Sequence, residues 1–185
     1  EANKVQIDYI AGTSMGAVVG ALYASGLSAA EVREKLLAVD WNSTLQDVTD
    51  RNERSFRNKS FEGRNFLGFD LGVGPDSVRL PLAALRGQKL ALALNELMLE
   101  TATVSDFDAL PIPFRAMATD LATGDAVVLG RGSLATALRA SMAVPVVYSP
   151  VEIDGRLYVD GGVANNLPID VARDMGADRV IAVDT

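Results

Sequence analysis

Gly12-Thr13-Ser14-Met15-Gly16 places a serine at the centre of a glycine-bracketed turn, with a short apolar run over 5–10 entering it and a helix-like run leaving it. This is the sequence form of a nucleophile elbow, in which a strained backbone between strand and helix pushes the serine hydroxyl out toward a substrate. The glycines two residues to either side, Gly12 and Gly16, leave room for the bend. Met15, Ala17, Val18, Val19, Ala21, Leu22 and Ala24 suit a helix packed closely on a sheet, and Ser25-Gly26 supplies its stop. A tight strand-to-helix turn around a buried structural serine is the other reading of the same residues.

The chain contains no histidine, so it cannot itself supply the base of a Ser-His-Asp triad. Activation of Ser14 falls to a carboxylate, an amine or water. Leu157-Tyr158-Val159-Asp160-Gly161-Gly162 offers the carboxylate: an apolar strand ends in an acid, and two glycines let the chain turn away sharply. Strand ends beside helix starts are where open α/β sheets place their chemistry. An exposed aspartate titrates near about 3.9, so Asp160 needs burial, or proton transfer in concert with attack, to take a serine proton. The alternative role for Asp160 is to cap the following turn through backbone N–H groups.

Taken together, the elbow and the Asp160-Gly161-Gly162 segment resemble the patatin-like phospholipase family. The resemblance continues through 106–115, through Ala118-Thr119-Asp120-Leu121 with Thr123-Gly124, and through Arg139-Ala140-Ser141-Met142-Ala143-Val144-Pro145 with Pro150-Val151. It covers nearly the whole chain, is weakest over 40–103, and looks like bacterial members of the family. It implies a Ser-Asp dyad: Ser14 as the acyl-accepting nucleophile, Asp160 as general base, and no metal or cofactor in the chemical step. The implied activity is lipid acyl hydrolysis of the phospholipase A or lysophospholipase type, through an acyl-enzyme, on a phospholipid or other lipid ester. The family also carries a glycine-rich oxyanion loop upstream of the elbow, and Glu1 lies too close to Ser14 for one. The chain therefore reads as a single patatin-like domain, 1–185, lacking its N-terminal strand and oxyanion loop. The Met15 N–H supplies one oxyanion donor. Each donor lost costs about 2.7–4 kcal/mol of transition-state stabilisation, so the chain by itself is expected to show little or no activity. The rival reading is a lipid-binding or scaffolding module that keeps the elbow without catalysis. An ordinary α/β-hydrolase with its histidine beyond Thr185 would leave Asp160-Gly161-Gly162 without a role.

The elements that must position these residues alternate. Val5 to Ile10 reads as strand, Ser14 to Ala24 as helix, and Ser28 to Val39 as a second helix opened by a Ser28/Glu31 capping box. From Trp41 to Gly74 the composition turns polar, charged and glycine-rich, which predicts mostly loop. Leu82 to Leu99 carries a helical apolar stripe. Phe114 to Thr119 and Ala126 to Leu129 read as paired strands, Ser133 to Met142 as a helix ended by Pro145, and Arg156 to Val159 as strand. Pro168 to Met175 reads as a helix with proline near its first position, and Arg179 to Val183 as a buried parallel-type strand. Strands alternating with helices predict an α/β domain with a mainly parallel central sheet; with the resemblance, that becomes a three-layer α/β/α arrangement.

At 185 residues with 49% hydrophobic composition, the chain has enough apolar material for one core. Its formal charge of −7 provides no basic field for nucleic acid. The absence of cysteine and histidine excludes disulfides and thiolate sites and argues against zinc. The uncharged run over 9–30 is broken by Gly12, Ser14, Gly16, Gly20, Ser25, Gly26 and Ser28, so it reads as turn plus buried helix rather than a membrane span.

Two regions could meet lipid in transient contact with a membrane. Arg51, Arg54, Arg57, Lys59 and Arg64 precede Phe66-Leu67-Gly68-Phe69, a basic and aromatic run suited either to phospholipid head groups or to a solvated loop. Leu92 and Leu99 widen the apolar face of the helix around 90–99, which either lines an acyl-chain groove or packs on two sides. Arg139 could hold a phosphate or a surface salt bridge. Gly72-Val73-Gly74 and Gly130-Arg131-Gly132 read as turns, and Asn165 and Asn166 as residues shaping the loop after Asp160. The segment over 80–90 looks like secreted passenger domains that precede an outer-membrane barrel, whereas cytoplasmic patatin-like proteins share much of the rest. Localisation, ester position and oligomeric state stay open.

Overall fold

Alternate residues of a strand face opposite sides of a sheet, and the segment from Phe114 to Asp120 is buried on both, which makes it the centre of the molecule. The computed structural model describes residues 5–47, 72–73, 78–79 and 83–184. In chain order its elements are β1 (Ile10–Thr13), α1 (Met15–Ala24), α2 (Ala29–Ala38), α3 (Trp41–Gln46), β2 (Gly72–Val73), β3 (Val78–Arg79), β4 (Ala83–Leu85), α4 (Gln88–Leu97), β5 (Phe114–Asp120), β6 (Ala126–Leu129), α5 (Leu134–Ser141), β7 (Val146–Tyr148), β8 (Val151–Ile153), β9 (Arg156–Asp160) and α6 (Ile169–Asp174).

The architecture is α/β with a mixed five-stranded sheet. Among the described residues only β1 runs parallel to β5; β6 and β9 pair antiparallel with β5, and β8 antiparallel with β9. The expected mainly parallel sheet is thereby corrected. The physical reason lies in two tight turns. Asp154 and Gly155 join β8 to β9 with φ of 51° and 77°, the left-handed pair that a two-residue antiparallel hairpin demands. Residues 121–125 return the chain from β5 to β6, with Gly124 at φ 79°. A separate parallel pair joins β4 to β7, and a short antiparallel pair joins β2 to β3.

Phe114, Ala116 and Ala118, on one face of β5, join Ala17, Val18 and Ala21 of α1 and Leu134 and Leu138 of α5 in the core. Small residues bring α1 close: a Cβ at Gly20 would meet Ile10 Cγ2 at 2.8 Å and the Phe114 ring at 3.3 Å. The α2 capping box forms as read, Glu31 N–H donating to Ser28 Oγ while the Glu31 carboxylate accepts the Ser28 N–H.

Elsewhere the sequence expectations shift. The first strand spans Ile10–Thr13, and 5–9 has no regular structure. Residues 179–183 form no strand; no ladder partner faces them among the described residues, and Ile181 and Val183 are exposed. The polar segment after Trp41 opens with a helix, α3, because Asp40 accepts the Ser43 N–H and the Trp41 indole donates to Leu36 O. The helix read over 82–99 is split: Ala83–Leu85 is strand, and Gly87 at φ 68° breaks the backbone before α4 begins. Gly72–Val73 is strand rather than turn. The basic run and the aromatic residues over 51–69 lie outside the described residues.

Candidate active site

Two strands meet end to end on one side of β5. β1 runs parallel to it and its ladder ends with Thr13 opposite Met117; β9 runs antiparallel and its ladder ends with Asp160 opposite Ala118. With β6 occupying the other side of β5, the carboxyl ends of β1 and β9 point at each other across one residue step. Ser14 follows the first and Asp160 closes the second. Two stretches separated by most of the chain are thus delivered to one point by strand pairing alone.

Ser14 takes φ 53° and ψ −125° as the N-cap of α1, a conformation that a non-glycine residue adopts only where its surroundings impose it. Its carbonyl accepts the Ala17 and Val18 N–H groups, so the first helical turn is built on the elbow itself. The Met15 and Gly16 N–H groups belong to that first turn, where helical N–H groups have no intrahelical acceptor. At Gly12 a Cβ would lie 2.8 Å from Ala17 N and Cα, whereas at Gly16 it would meet nothing within 4 Å among the described residues. The bend therefore requires Gly12; the expectation that Gly16 makes room in the same way is not met.

Asp160 is buried, 7% exposed. Its backbone N–H donates to Ala143 O at 2.9 Å, and its carbonyl accepts the hydroxyl of Thr119, itself buried, at 2.9 Å. One carboxylate oxygen, Oδ1, accepts the Gly162 N–H at 2.7 Å. The turn-capping role is therefore present. Gly161 is forced: a Cβ there would collide with the Met117 carbonyl. At Gly162 a Cβ would press on Asp160 Oδ1 at 3.0 Å and Asn166 Oδ1 at 3.1 Å.

The two halves are tied directly. Thr13 Oγ1 donates to Asn165 O at 2.9 Å, and the Ser14 N–H donates to Ser141 Oγ at 2.8 Å. Asn165 also donates through its side chain to Asp170 at 3.0 Å, a bond that holds the Asp170 carboxyl below the usual carboxylate range, with the Val171 N–H adding to the effect. Among the described residues no hydrogen bond joins the Ser14 hydroxyl to Asp160, and no cluster of acidic residues is arranged to hold a metal.

Thr13, Thr119 and Ser141 went unread in the sequence as parts of this site. Each is a small polar residue beside an apolar run, a signal too common to single out without the fold. Arg139 is not in the surface salt bridge that was one of its two expected roles. It is buried, donates to Arg86 O at 3.2 Å and to Gly87 O at 3.4 Å, and stacks over the Tyr148 ring at 5.0 Å. Burial pulls its pKa below the ordinary guanidinium value, with Tyr148 and Asp47 opposing the shift. Leu92 and Leu99 are exposed.

The family model described as patatin-like phospholipase matches residues 1–173. The chain belongs to the patatin-like phospholipase family. This patatin-like chain is 34% identical over 94% of its length to an uncharacterized NTE family protein of Mycobacterium tuberculosis, covering 39% of that protein. It is 30% identical over 97% of its length to patatin-like phospholipase domain-containing protein 7 of Rattus norvegicus and to patatin-like phospholipase domain-containing protein 6 of Homo sapiens, covering 11% of each. The patatin-like chain thus spans about two fifths of the mycobacterial relative and about a tenth of the mammalian ones.

Proposed function

We propose that this patatin-like chain carries the dyad of a lipid acyl hydrolase, with Ser14 as nucleophile and Asp160 as general base. The observation that supports it best is the convergence of β1 and β9, reinforced by the Thr13–Asn165 bond that ties the elbow to the loop after Asp160. Ser14 Oγ attacks the ester carbonyl carbon and its proton passes to the Asp160 carboxylate. The tetrahedral oxyanion is met by the Met15 N–H at the positive end of α1, together with donors from a glycine-rich loop outside these residues. On collapse the ester C–O bond breaks and the leaving alkoxide takes the proton from Asp160. Water then attacks the acyl-enzyme, giving a proton to Asp160; the acyl C–Oγ bond breaks, Ser14 Oγ takes that proton back, and the carboxylic acid leaves.

The substrate class follows from the family: a phospholipid or other lipid ester, reached at a membrane surface in transient contact. A three-layer α/β/α arrangement of the whole domain belongs to the same proposal. The rival, a lipid-binding module without catalysis, draws support from Asp160 Oδ1 being engaged by the Gly162 N–H rather than by Ser14. Release of fatty acid from phosphatidylcholine vesicles by the full-length protein separates them. Under the hydrolase reading, Ser14→Ala and Asp160→Asn each lower the rate by about 10³-fold or more. Vesicle binding with a release rate indifferent to both substitutions would favour the rival.

A further inference from the structure

The topology that brings Ser14 to Asp160 also strips its backbone of a partner. The β1 ladder stops at the Thr13–Met117 pair, and the next residue of β5, Ala118, is taken by Asp160. No strand position is left for the Ser14 N–H, and a partly buried N–H without an acceptor is costly enough that native structures nearly always provide one. Ser141 provides it. Its hydroxyl oxygen accepts at 2.8 Å from the last residue of α5, where the side chain has no exposure to solvent. Two residues further on, Ala143 O accepts the Asp160 N–H at 2.9 Å. The three residues 141–143 thus grip both ends of the dyad, one through a side chain and the other through the main chain.

Resting on the hydrolase reading above, we propose that Ser141 is a positioning residue for acyl transfer at Ser14. A non-glycine residue at φ 53° and ψ −125° relaxes unless neighbouring groups over-determine it. The Ser141 oxygen fixes the one backbone donor whose direction turns with Ser14 φ. That hold keeps Ser14 Oγ facing the end of β9 and keeps the Met15 N–H aimed at the oxyanion. Removing the acceptor frees the elbow to rotate, so reactivity falls more than stability does. Because Ser141 acts on the backbone and not on the proton path to Asp160, the midpoint of the pH profile stays in place.

The test is the second-order rate at which a fluorophosphonate phosphonylates Ser14 in the full-length protein, with the modified peptide identified by mass and with Tm recorded alongside. Ser141→Ala is expected to react about tenfold to a hundredfold more slowly at an unchanged pH midpoint. Ser141→Cys, which nearly keeps the volume and offers only a weak sulfur acceptor, falls in between. A folded Ser141→Ala protein that reacts within about twofold of the unsubstituted rate overturns the positioning role and leaves the hydrolase reading standing. Should Ser141→Ala not fold, Ser141→Cys decides in the same way: a several-fold loss supports the role, and the unsubstituted rate overturns it. Failure of the unsubstituted protein to react at Ser14 overturns the hydrolase reading and the inference with it.

Discussion

Gly12 and Gly16 look equivalent in the motif, yet the backbone treats them differently. A Cβ at Gly12 strikes the start of α1, while one at Gly16 meets none of the described residues. Gly12→Ala is therefore expected to lower Tm by several degrees and to abolish Ser14 reactivity. Gly16→Ala is expected to leave Tm unchanged or slightly raised, since alanine is the better helix former by about 1 kcal/mol. Thermal melts of the two variants check this, and a Gly16→Ala melt as damaged as that of Gly12→Ala would contradict it. Gly87 is a third case, combining φ 68° with a Cβ position that runs into the Arg139 guanidinium. Gly87→Ala should cost about 1–3 kcal/mol in urea unfolding, through left-handed strain and displacement of a buried cation. At this scale the elbow and the Asp160 turn were legible because each is written in a few consecutive residues. Asn165 was read only as shaping the loop after Asp160, and the contacts of Ser141 and Thr13 were not legible, because their partners are far away in sequence and only the fold supplies them.

Helix α4 shows how an element boundary can be set from elsewhere. The Asp47 carboxylate accepts the N–H groups of Gly87, Gln88 and Lys89, at 2.9, 3.4 and 3.0 Å. It therefore caps a helix that begins some forty residues later. No local pattern encodes that, whereas the Ser28/Glu31 box of α2 is local and was read directly. Asp47→Ala should cost about 1–2 kcal/mol, and loss of helical signal on urea titration measures it. The 3-10 turn Phe107–Ala109 is held to β5 in a related way: Arg115 makes a bidentate pair with Asp108 at 2.7 and 2.9 Å and holds its carboxyl below the usual carboxylate range. A depressed folded-state pKa contributes stability above the ordinary carboxylate range, and the contribution disappears as pH falls through the lowered value. Asp108→Asn should thus lower Tm slightly at neutral pH, the pair being solvent-exposed, and the difference from the unsubstituted protein should vanish in strong acid. A Tm gap that persists or widens in acid would contradict this. Strand direction was the main loss at this scale: apolar periodicity places a strand without saying which way its neighbour runs. The Asp154-Gly155 turn did carry that information, and it passed unread.

Across the whole molecule, pairing on a single strand sets where the proposed dyad residues lie. β5 carries β1 on the first half of one edge and β9 on the second, so strand register brings the end of β1 beside the end of β9. In the proposed dyad the Asp160 carboxylate takes the base role that histidine has in a Ser-His-Asp triad, in a chain that has no histidine. The membership of the family and the broad α/β class were legible in short motifs, while the mixed character of the sheet needed the assembled pairing. Peptide mapping after reaction with a fluorophosphonate tests the central claim most directly, on the full-length protein and on its Ser14→Ala and Asp160→Asn variants. The Ser14–Asp160 account predicts a single phosphonyl adduct on the peptide containing Ser14, lost in Ser14→Ala and slowed by about 10³-fold in Asp160→Asn. An adduct elsewhere, or unaltered labelling of Ser14 in the Asp160→Asn protein, would contradict it.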